Sequence, residues 1–237
     1  MATLFLAGGL IVLIINIKVI PETFALIFKY AFVPQALIGG GIGAALKTAI
    51  SQGAKRGLFS NEAGMGSTPH AHAMANVEKP HDQGVVAMIG VFIDTFVVLT
   101  MTALVIISTF YTNGSEAWKS AVKTSAMQEA FTQAFPALGS FGNIFIAICL
   151  LFFAFSTIIS WNFFGKINIQ YLAKNSKVAT ILYSVIAVAF IFLGSCLSND
   201  LVWELTDFFN YLMVIPNALA LFALTKLVVN NSKSNKK

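Results

Sequence analysis

Apolar residues run along this chain in long blocks, with polar residues gathered in short stretches between them. A helix needs about 20 apolar residues to cross roughly 30 Å of hydrocarbon at 1.5 Å per residue. That ruler predicts six membrane-spanning helices, over residues 1–17, 32–51, 84–109, 138–164, 178–197 and 201–229. The first is short, the second is rich in glycine, and the sixth carries Pro216 in its middle. The predicted fold class is therefore all-α, because the alternating segments of about ten residues that build a membrane barrel are absent and a helix satisfies its own backbone in lipid. Two connecting stretches predict helices along the bilayer surface. Residues 21–30 start behind Pro21, and residues 115–131 place Trp118, Val122 and Phe131 near one face. Ordinary loop helices are the alternative for both.

Composition agrees with the pattern. Hydrophobic residues make up 57% of the 237, charged residues only 11%, and mean hydropathy is +0.79. A soluble domain carries about 25% charged residues and must clothe its surface in polar groups. A cytosolic enzyme, a disulfide scaffold and a disordered tail are excluded on that ground. Cys149 and Cys196 sit inside apolar runs, and Met1 leads into Ala-Thr-Leu-Phe-Leu without a basic n-region, so neither a disulfide framework nor a signal peptide is expected.

Charge sets the expected orientation. The net charge is +5. Lys55, Arg56 and Lys79 lie in one connection, Lys166, Lys174 and Lys177 in another, and Lys226, Lys233, Lys236 and Lys237 near the C-terminus. All three fall on one side of the six-span arrangement and are assigned to the cytoplasm, with the C-terminus. The other side holds Lys18, Glu22 and Lys29, then Lys119 and Lys123 offset by Glu116 and Glu129, then Asp200.

Several positions interrupt the apolar runs. Gly39-Gly40-Gly41-Ile42-Gly43 lies mid-span, and each glycine costs about 1 kcal/mol relative to alanine in a helix. Either the helix breaks there, freeing backbone groups to grip a small ligand, or the glycines let two helices pack closely. Ser156 and Thr157 either bond back to their own helix or offer neutral oxygens to Na⁺. Trp161 lies one turn on, placed as a lid or wall. Asp94 is a carboxylate roughly 15 Å inside its span, functional or internally paired. Glu204 and Asp207 read as interfacial. Pro216 predicts a kink, with Asn217 able to satisfy a freed carbonyl. His70, His72 and His81 lack the companions of a metal site, and no Ser–His–Asp set or phosphate loop is visible, so an enzyme is not expected.

The run Arg56-Gly57-Leu58-Phe59-Ser60-Asn61-Glu62-Ala63-Gly64-Met65-Gly66-Ser67 resembles the alanine or glycine:cation symporter (sodium:alanine symporter) family. The likeness continues at Gly90 to Thr95, at Phe153 to Thr157 with Trp161 after it, and at Leu201 to Trp203 through Ile215-Pro216-Asn217, and so covers nearly the whole chain. The resemblance implies a leucine-transporter-type fold of two inverted five-helix repeats. Residues 1–17 would be the last helix of the first repeat, residues 32–229 the second repeat and residues 230–237 a short basic cytoplasmic tail, all within one transmembrane domain, 1–237. It implies a multi-pass symporter of the cell membrane that couples alanine or glycine to Na⁺, the coupling ion, with no other cofactor. Gly39, Gly40, Gly41, Ile42, Gly43 and Trp161 would meet the substrate, and Ser156 and Thr157 the sodium. Asn61 and Glu62 would shape the inner gate, with Asp94, Pro216 and Asn217 in gating or structural roles. A Gly- and Asn-containing broken helix and the three helices after it have no counterpart here. The chain thus looks like the C-terminal half, and the alternative is a truncated, non-transporting membrane module that needs a separate N-terminal half.

Overall fold

The computed structural model describes residues 2–32, 51, 53, 55, 57–112 and 125–234. Among them the structure consists of helices joined by turns and loops and contains no strand. In chain order the helices are α1 (Ala2–Ile15), α2 (Ile20–Phe32), α3 (Thr68–His72), α4 (Pro80–Phe92), α5 (Leu99–Thr112), α6 (Ala126–Ala134), α7 (Phe141–Leu172), α8 (Lys177–Cys196) and α9 (Asn199–Ser234). A π-helical turn, Ile93–Val98, joins α4 to α5.

Among the described residues, four stretches are long and apolar enough to cross a bilayer: Pro80–Phe110, Phe141–Leu172, Lys177–Cys196 and Asn199–Ser232. They match the third to sixth predicted spans. The first behaves differently. Its helix covers 14 residues, about 21 Å, and turns through 75° into α2, so that the bent pair makes at most one further span. The second predicted span lies almost wholly outside the described residues, as does most of 115–131. The described part of that stretch belongs to α6, whose Ala130 and Phe131 are buried.

The chain divides into two compact units, residues 1–50 with 93–157, and residues 51–92 with 158–237. In the first unit, Phe5, Val12, Met101, Val105, Ala130, Phe131, Ile146 and Cys149 form one buried cluster drawn from α1, α5, α6 and α7. The close approach of α7 to α6 requires Gly142, because a Cβ there would stand 2.6 Å from the Phe131 carbonyl oxygen.

The bend between α1 and α2 has a polar cause. Asn16 ends α1 and is buried, and its Nδ2 donates to Ser108 Oγ at 3.2 Å and Thr109 Oγ1 at 3.0 Å. A 3₁₀ turn, Ile17–Val19, follows, and Pro21 enters at the start of α2, where its missing N–H costs no helical bond. Asn16→Leu is expected to lower stability by about 2 kcal/mol, since it removes both buried bonds to the Ser108 and Thr109 hydroxyls. Thermal unfolding of purified protein in detergent reads this, against Ile17→Leu as a neutral control.

In the second unit, α9 runs as one helix of 36 residues through Pro216, where the sequence predicts a kink. Between α7 and α8 the chain reverses at Lys174 and Asn175, both at positive φ, and Ser176 caps α8 by accepting from the Ala179 N–H.

Candidate functional site

Asn61 to Ser67 forms a tight loop in the second unit, and nearly every polar group in it is used. Glu62 takes a left-handed backbone, φ 59°, which costs a non-glycine residue roughly 1–2 kcal/mol. Its carbonyl accepts the Met65 and Gly66 N–H groups, both at 3.2 Å. Asn61 Oδ1 accepts the Ala63 N–H at 3.2 Å.

The Glu62 side chain organises the surroundings. One oxygen accepts the Ser67 hydroxyl at 2.8 Å, with Ser67 itself buried, and the other accepts the Trp161 indole N–H at 3.1 Å. Hydrogen bonds to a carboxylate are about twice as strong as neutral ones. They stabilise the loop against the strain at Glu62 and fasten it to α7.

A second fastening reaches α9. Asn217 Nδ2 donates to the carbonyls of Ala63 at 3.2 Å and Gly64 at 3.0 Å. The sequence reading gave Asn217 a freed carbonyl beside Pro216; its amide instead satisfies the loop. Gly66 sits at φ 77°, and a Cβ there would stand 2.6 Å from Asn217 Oδ1, so only glycine fits.

His70 makes a third. Its Nδ1 lies 3.0 Å from the Ser67 carbonyl, which only accepts, so Nδ1 carries the proton. Nε2 then accepts from Asn168 Nδ2 of α7, 3.0 Å away. Further along α9, Asp207 pairs with Lys55 at 3.8 Å, and Lys55 lies 5.7 Å above the Tyr211 ring. Phe59 meets Trp203 edge to face. These bonds join into one constellation. It is a clasp holding one connecting segment to two long helices.

The remaining sequence-predicted residues lie elsewhere. Gly39, Gly40, Gly41, Ile42 and Gly43 fall outside the described residues. Ser156 and Thr157 are in the first unit, on α7. Ser156 donates its hydroxyl to the Phe153 carbonyl at 2.9 Å, which leaves its oxygen lone pairs able to accept, and Thr157 is exposed. Asp94, half-buried, occupies the π-helical turn, an irregularity found mostly at functional sites. Sequence reasoning missed Asn16, Ser108, Thr109, Ser67 and Asn168. Asn16 and the adjacent hydroxyls of Ser108-Thr109 stand out as polar breaks in apolar runs, and that signal could have found them. Nothing in the sequence marks Asn168 as the partner of His70.

Apolar helices of this length define a multi-pass membrane protein, and the clasp ties one connecting segment to two of its long helices. The sodium:alanine symporter family matches residues 1–237, and the chain belongs to it. It is 38% identical over 235 residues to the sodium/alanine symporter AgcS of Methanococcus maripaludis, covering 99% of this chain and 49% of that protein. To the "Probable sodium/glutamine symporter GlnT" of Bacillus subtilis it is 37% identical over 230 residues, 96% of this chain and 45% of that protein. An uncharacterized transporter of Haemophilus influenzae is 37% identical over 233 residues, 98% and 49% respectively. The chain spans about half the length of the curated relatives it matches.

Proposed function

We propose that this chain is the C-terminal half of a sodium-coupled symporter of small neutral amino acids, alanine or glycine, with the leucine-transporter-type fold. The observation that carries this reading is the family match along all of residues 1–237. In this reading the C-terminus is cytoplasmic, the chain is embedded in the cell membrane, and an N-terminal half supplies the remaining ligands.

Na⁺ is bound as cargo by the oxygens of Ser156 and Thr157, with further oxygens from neighbouring backbone. The amino acid is bound by Gly39, Gly40, Gly41, Ile42 and Gly43, and Trp161 is a further substrate residue. Each ligand favours the same conformation, and coupling follows from that shared preference. Asn61, Glu62 and Asn217 close the cytoplasmic side, while Asp94, in the π-helical turn, and Pro216, within α9, have gating or structural roles. The Ser156 hydroxyl bonds back to the Phe153 carbonyl, the geometry of the structural alternative, and its lone pairs remain compatible with a sodium role.

The test is Na⁺-dependent alanine uptake by the assembled symporter in proteoliposomes. Ser156→Ala with Thr157→Ala is expected to raise the sodium concentration for half-maximal uptake at least tenfold, the loss of about 1.4 kcal/mol of ion binding. Unchanged sodium dependence rejects the assignment. Competition by glycine and glutamine reports the substrate range. A second reading is a truncated, non-transporting membrane module that needs a separate N-terminal half. Uptake with and without that half co-expressed separates the two.

A further inference from the structure

Lys166 lies within α7 and makes no ion pair among the described residues. It stands six residues, roughly 9 Å, short of the end of α7 at Leu172. The neighbouring Gly165 packs against Tyr183, whose hydroxyl lies 3.5 Å from the Asn162 carbonyl, which places Lys166 about the same distance below the start of α8 at Lys177. At 32 residues, about 48 Å, α7 is longer than the hydrocarbon is thick, so an ammonium near its end reaches the interface, where phosphates are its natural partners. Along the chain, residues 130–199 contain no Asp or Glu.

Lys166 forms the polar rim of a groove of about 470 Å³ between α7 and α8. Thr180, Ile181, Ser184, Val185 and Val188 form its wall. These five recur at helical spacing and so make one stripe down α8, roughly 12 Å long. Thr180 and Ser184 spend their hydroxyl protons on the carbonyls of Ser176 and Thr180, at 3.0 and 2.9 Å, leaving oxygens that accept. Ile181, Val185 and Val188 are all more than 60% exposed and offer a surface suited to an acyl chain. Lys174 and Lys177 stand in and beside the connection above, also without an ion pair among the described residues.

We propose that this groove binds an anionic glycerophospholipid of the leaflet that meets the α7–α8 connection. Its phosphate neutralises Lys166, hydroxyls of its headgroup donate to Thr180 and Ser184, and one acyl chain lies along Ile181, Val185 and Val188. Charge complementarity selects the occupant: Lys166 at the rim makes no ion pair among the described residues, Lys174 and Lys177 add positive charge in and beside the connection, and the bilayer surface carries phosphates. The proposal is independent of the transport reading, since it needs only that α7 and α8 cross a membrane.

The test is native mass spectrometry of the purified protein in detergent, titrated with dioleoyl-phosphatidylglycerol or dioleoyl-phosphatidylcholine. Phosphatidylglycerol is expected to be retained at least fivefold more tightly, with Lys166→Gln removing most of that preference. Lys226→Gln, remote on α9, is expected to leave it intact. Val185→Trp, which fills the groove while keeping the charge, is expected to weaken phosphatidylglycerol retention, with helical content by circular dichroism confirming that both variants fold. Equal retention of the two lipids, or wild-type selectivity in Lys166→Gln, overturns the proposal. Displacement of phosphatidylglycerol by millimolar inorganic phosphate also overturns it, because the site would then recognise free phosphate rather than lipid.

Discussion

Glu62→Ala is expected to destabilise the second unit by about 3 kcal/mol and to abolish most uptake by the assembled symporter. The substitution removes both carboxylate bonds, to Ser67 and to Trp161, each contributing roughly 1.5–3 kcal/mol, discounted because the site is only half-buried. It also keeps the left-handed backbone, so the strain at φ 59° stays without its compensation. Glu62→Gln is the informative companion. An amide can still accept from the indole and donate to Ser67, so a loss near 1 kcal/mol is expected, with uptake largely kept. Thermal unfolding and proteoliposome uptake measure both. If Gln is as damaging as Ala, negative charge is what matters at this position and the clasp is the wrong explanation. Trp161→Phe, which deletes one of the two bonds, should fall between them.

Gly66→Ala is expected to cost a similar amount, about 3 kcal/mol, by a different route. The added methyl meets Asn217 Oδ1 and at the same time occupies a φ of 77° that alanine adopts poorly. Moving Asn217 away releases the Ala63 and Gly64 carbonyls, each bond contributing about 1 kcal/mol. Asn217→Ala alone should therefore cost about 2 kcal/mol. The two changes share one contact, so the double variant should lose clearly less than their sum. Strict additivity in unfolding midpoints would show that the methyl does not act through Asn217.

The long spans could be read from the sequence because they rest on a local property, an apolar run of sufficient length, which lipid selects residue by residue. Expected limits of 178–197 became Lys177–Cys196, and 201–229 became Asn199–Ser232. The clasp could be anticipated only as far as its motif, since its bonds join residues far apart in the chain. Trp161 reads naturally as a neighbour of Thr157, one turn back, yet its indole bonds to Glu62, 99 positions away. The same holds for Asn217, where the adjacent proline suggests a local partner and the fold supplies a distant one. Pro216 needs no break in α9, since a helix can absorb a proline by bending slightly where neighbouring groups satisfy its backbone. The 75° bend at Asn16 escaped prediction because it depends on Ser108 and Thr109 being brought to it by packing.

The π-helical turn at Ile93–Val98 resets the phase of the helix that carries it. A wide turn takes up an extra residue, and one residue corresponds to about 100° around the axis. Side chains beyond Val98 therefore point where unbroken counting from Pro80 would not put them. Met101, Leu104, Val105 and Ser108 share a single buried stripe on α5 when counted from the turn itself. A helical wheel drawn through all 31 residues of Pro80–Phe110 would blur that stripe, and deleting one residue inside the turn would swing it away from its partners on α1 and α6.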